Sequence, residues 1–111
     1  MYDYLSLKSD ELYSDYLSPE QFDSYFDNHL DYIKQSRFGY HIKIKNYYCF
    51  IQGIHCDSKG NYGFETDKDF KKINLIEINI PQGAESILDE DIRRLAKRIA
   101  SHFKWQIDWN E

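Results

Sequence analysis

Only two cysteines, Cys49 and Cys56, occur in 111 residues. Two thiols are too few to staple a secreted scaffold, so a reduced, cytoplasmic setting is expected. Six residues lie between them, not the two to four of a zinc knuckle. No apolar run approaches the ~20 residues that span a bilayer. The opening Met1-Tyr2-Asp3-Tyr4-Leu5-Ser6-Leu7-Lys8 has neither a charged n-region nor an h-region, so no signal peptide is expected. Gly-x-Ser-x-Gly, His-Glu-x-x-His, Walker and dinucleotide fingerprints are all missing. There is no internal repeat and no low-complexity segment. The expectation is a protein that is not an enzyme and uses no cofactor or metal.

What the chain does contain is tyrosine and unevenly placed acid. Its length fits a single domain over residues 1–111. A hydrophobic fraction of 41% with 30% charge is globular rather than disordered. Aromatics reach 17%, with 10 tyrosines, a residue that packs as a hydrophobe while keeping its hydroxyl wet. The formal net charge of −5 hides an asymmetry. Residues 1–32 carry eight acids against Lys8 alone, a net −7, whereas the remainder carries 11 acids and 13 bases. Segregation of this kind suggests a basic partner for the first third.

Local patterns order the elements. Ser9-Asp10-Glu11-Leu12 reads as a helix start, with Leu12, Tyr13, Tyr16 and Leu17 as its apolar stripe, ending near Ser18-Pro19. Ser18, Pro19 and Gln21 form a capping-box signature for a longer helix at about residues 19–36. Its stripe is Phe22, Tyr25, Phe26, His29, Leu30 and Ile33. From Phe38 the period falls to two, giving a strand through Ile44 and a more central one from Tyr47 to His55. Asp57 to Asn61 is turn chemistry, Asn61 to Thr66 a hairpin partner with a bulge at Gly63, and Asp67 to Lys72 a loop. Ile73 to Ile80 alternates again. Ser86 and Asp89 are spaced as a capping box for a helix at about residues 87–103, buried along Leu88, Ile92, Leu95, Ala96, Ile99 and Phe103. Trp105, Ile107 and Trp109 mark a last strand. The predicted class is α+β, in the order α-α-β-β-β-β-α-β. Four to five strands would form an antiparallel sheet with N-terminal helices and one C-terminal helix packed on it.

The sharpest candidate site is an acidic ridge of Asp23, Asp27 and Asp31 at i, i+4 and i+8. Like charges at this spacing cost a few tenths of a kcal/mol each, about what a surface tuned for a cationic partner would tolerate. A solvated face kept for solubility is the competing reading. Asp10, Glu11 and Asp15 extend the acid, with Tyr13 and Tyr16 interleaved as hot-spot types, although Tyr16 also suits packing. Tyr25 and Tyr32 are further candidate anchors. Glu65, Asp67 and Asp69 form a second acidic cluster, diluted by Lys68, Lys71 and Lys72. The histidines make no metal site: His29 falls on the apolar stripe, His41 on a polar strand face, and His55 and Cys56 point to opposite faces. A catalytic pair such as His41 with His102 stays open as a third reading. Arg93, Arg94, Lys97 and Arg98 could touch phosphates, yet they sit where a helix carboxyl end favours cations.

A short acidic α+β chain with an aspartate-ridged helix, aromatic strands and no catalytic motif resembles bacterial toxin immunity proteins. More narrowly, it is similar to the antitoxins of contact-dependent growth inhibition systems, including those paired with RNase A-like toxins. The resemblance is one of type and covers the whole chain without a defining motif. It implies one-to-one binding to a cognate basic toxin nuclease domain, over or beside its active site, with no direct nucleic-acid or membrane contact. Nuclease clefts hold phosphates with basic groups, so carboxylates are a suitable replacement. The alternative is a nucleic-acid-mimicking inhibitor or regulator of a host DNA- or RNA-processing enzyme, which would use the same carboxylates.

Overall fold

The computed structural model describes residues 3–10, 14–28, 31–36, 38–55 and 72–108, apart from the side chains of 3, 4, 36 and 85. The elements run β1 (Asp3–Lys8), α1 (Pro19–Asp27), β2 (Tyr32–Ser36), β3 (Gly39–Ile44), β4 (Tyr47–Ile54), β5 (Leu75–Ile80), α2 (Glu85–Phe103) and β6 (Gln106–Asp108). The described strands join one antiparallel six-stranded sheet in the order β2-β3-β4-β5-β1-β6. The α+β class and the single sheet agree with expectation. The strand count and the start of the chain do not.

The opening residues form an internal strand. β1 pairs with β5 from Asp3↔Ile80 to Lys8↔Leu75 and with β6 from Ser6↔Asp108 to Lys8↔Gln106. The helix expected from Ser9 to Leu17 is absent among its described residues. Asp10 instead takes the backbone N–H groups of Ser14 (2.9 Å) and Asp15 (3.2 Å) on its carboxylate. Leu17 is extended and exchanges both backbone hydrogen bonds with Ile73, at 2.7 and 2.8 Å.

The start of α1 matches the sequence signal. The Ser18 hydroxyl accepts from Gln21 N at 3.1 Å, Gln21 Oε1 accepts from Ser18 N at 2.9 Å, and Pro19 opens the helix. Its end does not match. α1 stops at Asp27 rather than near residue 36, and the chain returns as edge strand β2 against β3. Strand parity then buries Tyr32 and leaves Ile33 55% exposed, so the helical stripe does not extend to Ile33. Two-residue alternation and backbone pairing to β3 override the 3.6-residue pattern there.

β4 is central, as expected, and hairpin β3–β4 turns through Lys45 and Asn46, both at positive φ (50° and 72°), the geometry of a type I′ turn. Gly53 in β4 sits in tight packing. A Cβ there would lie 3.0 Å from the Ile73 side chain and 3.2 Å from Phe22. α2 begins at Glu85 with Ala84 at the cap, not through the expected Ser86–Asp89 box. Ala84 is fully buried, so the cap position serves the core while its N–H donates to Pro81 O at 3.1 Å. The buried stripe of α2 includes Leu88, Ile92, Leu95, Ala96 and Ile99, and Phe103 packs half-buried at its end. Both helices cover one face of the sheet, closing a core of Leu5, Leu7, Tyr40, Ile51, Ile76 and Ile78 against Phe22, Phe26, Leu88 and Ile99. A smaller pair, Ile54 and Leu75, forms a separate cluster. No helix among the described residues is long and apolar enough to cross a membrane.

Candidate partner-binding surface

The polar side of α1 is tied to the sheet by one tyrosine. Tyr40 on β3 is only 1% exposed, and its ring stacks on Phe26 at 5.0 Å and tilts against Phe22 at 5.9 Å. This packing drives its hydroxyl out under the helix, 2.9 Å from Asp23 Oδ1 and 3.0 Å from Asp27 Oδ1. Burial first, then donation to two carboxylates, raises the Tyr40 pKa above its ordinary 10.0, so the phenol stays a donor. Lys34 Nζ reaches Asp23 Oδ2 at 3.3 Å and lies 5.8 Å from the centre of the Tyr40 ring. Asp23 is thereby fixed at both carboxylate oxygens and Asp27 at one.

The expected three-aspartate ridge is consequently a pair. Asp31 is exposed, but it sits in the turn before β2, beyond the end of the helix. Asp10 spends its carboxylate on the backbone N–H groups of Ser14 and Asp15 and on a short bond from Ser14 Oγ. Asp15 is exposed and accepts from Tyr16 N at 3.0 Å. Glu11, Tyr13, Glu65, Asp67 and Asp69 lie outside the described residues. Tyr32 is buried and meets Phe26 edge-on at 4.8 Å, so it belongs to the core rather than to a contact face. Tyr16, which packing arguments would place inside, is 50% exposed with Lys72 Nζ 4.6 Å over its ring.

Beside this surface runs an open groove of about 790 Å³. The loop before α1 contributes Asp15 and Tyr16, α1 contributes Glu20, Ser24, Tyr25 and Asn28, and the end of α2 contributes His102, Phe103 and Trp105. The aromatic wall is continuous: Tyr25 lies 4.5 Å from His102 and 5.3 Å from Phe103, and Phe103 lies 5.9 Å from Trp105. Burial raises the Tyr25 pKa, with Arg98 acting in the opposite sense. Sequence reading did not assemble this groove, because its walls lie about eighty residues apart in the chain. Tyr40 was equally hidden, as a strand residue with an ordinary alternating pattern.

His41 and His102, the pair considered for catalysis, do not converge. His41 belongs to the sheet face opposite the helices, edge-on to Tyr48 at 5.3 Å, whereas His102 lies against Tyr25 on the helical side. Among the described residues, no group of three His, Cys, Asp or Glu side chains is placed to hold a metal ion. Burial pushes the Cys49 thiol up to about 11, away from reactive thiolate character. The basic group on α2 is partly neutralised within the helix. Arg93 pairs with Asp89 at 3.0 Å, and Arg94 with Glu90 at 3.3 Å and Asp91 at 3.8 Å.

Compared with known proteins, the chain matches no protein-family model, no curated protein and no solved structure.

Proposed function

We propose that this chain is an immunity protein, a cytoplasmic antitoxin that binds one cognate basic nuclease toxin domain and covers its active-site region. The observation that carries this reading is the pairing of charge with fixed geometry. The net negative charge of the chain is concentrated in residues 1–32, and Asp23 and Asp27 from that segment are held by the Tyr40 hydroxyl. Carboxylates fixed before binding lose less conformational freedom on meeting basic groups. Complementary fields also speed capture, up to about 10⁸–10⁹ M⁻¹s⁻¹ in favourable cases.

The test is a native pull-down with the tagged chain at low and then moderate salt, followed by expression of the retained protein alone and with the chain. One basic partner, bound one-to-one, toxic alone and harmless when co-expressed, is the expected result. Many basic proteins, all released by salt and displaced by DNA, would replace this reading with a nucleic-acid mimic.

A further inference from the structure

We infer that the groove between α1 and the end of α2 is a receptor for one arginine side chain of the protein partner. The inference rests on the proposed binding of a basic protein and names the point at which that protein is gripped. Two features match a guanidinium on an apolar stem. The exposed His102 and half-buried Phe103, backed by the buried rings of Tyr25 and Trp105, offer ring surface to the methylenes and to the flat cation. Asp15 and Glu20 line the same groove and supply the opposite charge.

Three further facts support a cation over a neutral or anionic occupant. The carboxyl end of α2 finishes at the groove, and the negative end of the helix dipole favours positive charge there. Tyr16, on the same rim, already carries a cation: the Lys72 ammonium stands 4.6 Å over its ring. Ser24 and Asn28 add uncharged hydrogen-bonding groups along α1, which suit the several N–H donors of a guanidinium. Arg98, near enough to act on the Tyr25 hydroxyl, and the Lys72 ammonium over Tyr16 set two positive charges against the two carboxylates, so an arginine is held by ring contact and directed hydrogen bonds rather than by net charge. Arginine fits better than lysine because its planar fork can stack on a ring while pairing with a carboxylate.

The experiment needs no knowledge of the partner. The intact ¹⁵N-labelled chain is titrated with the capped tripeptide Gly-Arg-Gly, and with the same peptide carrying citrulline, which keeps the shape and removes the charge. Saturable amide shifts confined to Asp15, Tyr16, Glu20, Ser24, Asn28 and His102 are expected for arginine, with at least tenfold weaker binding for citrulline. The exposed, conservative pair Asp15→Asn and Glu20→Gln should weaken arginine binding about tenfold while leaving the rest of the spectrum in place. Shifts spread over the whole acidic surface, equal responses to the two peptides, or an unchanged affinity in the double variant would each overturn the inference. Its fate is separable from that of the parent reading. A rescuing toxin partner whose affinity ignores the double variant would remove the groove and keep the immunity function. Selective arginine binding without any such partner would do the reverse.

Discussion

Tyr40 shows how one side chain links the core to the surface. Its ring is held by Phe22 and Phe26, and its hydroxyl is shared between Asp23 and Asp27. Tyr40→Phe keeps the ring and removes the donor, leaving Asp27 to find water and Asp23 with Lys34 alone. Hydrogen bonds to charged groups contribute about 1.5–3 kcal/mol, and Asp27 is exposed enough to be resolvated, so a loss of about 1–2 kcal/mol in urea unfolding is expected. An unchanged midpoint would mean that the hydroxyl does not anchor the helix. The same residue sets the alkaline limit of the fold. Tyr40, Tyr32 and Tyr25 are raised above 10.0 by burial, and Cys49 moves from 9.0 up to about 11 for the same reason. Each group holds its proton more tightly when folded. Its contribution is therefore complete below the unfolded value and lost as pH climbs from there through the folded one. Stability should be level up to about pH 9 and then fall, first with the thiol and then with the phenols. A urea midpoint that stays constant from pH 8 to 11 would contradict the burial of these four groups.

At the scale of elements, α1 is short, so its start matters. Nine residues are below the length at which a helix persists alone, and the capping box satisfies two backbone N–H groups that would otherwise lack partners. Ser18→Ala should cost about 1 kcal/mol. Because α1 also carries Asp23 and Asp27, amide exchange should rise along the helix more than in β4. Uniform exchange across the molecule would show that the cap does not control the helix separately. Ser18, Pro19 and Gln21 announced this start in the sequence because capping is local chemistry. The stripe of α2 was legible for a similar reason, since repeated burial at 3.6-residue spacing leaves a long trace from Leu88 to Ile99. β1 was not legible: only Leu5 and Leu7 mark its inner face, and the pairing that makes it a strand comes from β5 and β6, about seventy and a hundred residues away. Residues 32–36 failed for the opposite reason. Their apolar spacing continued the helical phase of Phe22 and Phe26, and only the edge of β3 decides otherwise. Candidate acids could be chosen from composition, but Tyr40, Tyr16 and Trp105 become site residues only through tertiary contact.

For the whole molecule the governing quantity is where the charge lies. Arg93 and Arg94 are each paired with acids on their own helix, so that part of α2 projects little net field. The first third keeps its excess of acid, and a field of this kind acts on encounter over roughly a Debye length, about 8 Å at physiological salt. Asp27 and Asp31 are both exposed, and Asn at position 27 would still accept from Tyr40, so Asp27→Asn with Asp31→Asn changes charge with little change in structure. Against the basic partner, this double variant should associate about two- to fivefold more slowly at low ionic strength, with a shallower dependence on salt and little change in dissociation. Neutralising Asp89 and Glu90 removes the same formal charge from α2 and is the matched control. Its association rate should keep the parental salt slope more closely. Equal slopes for the two double variants would mean that net charge, rather than its position beside α1, governs capture.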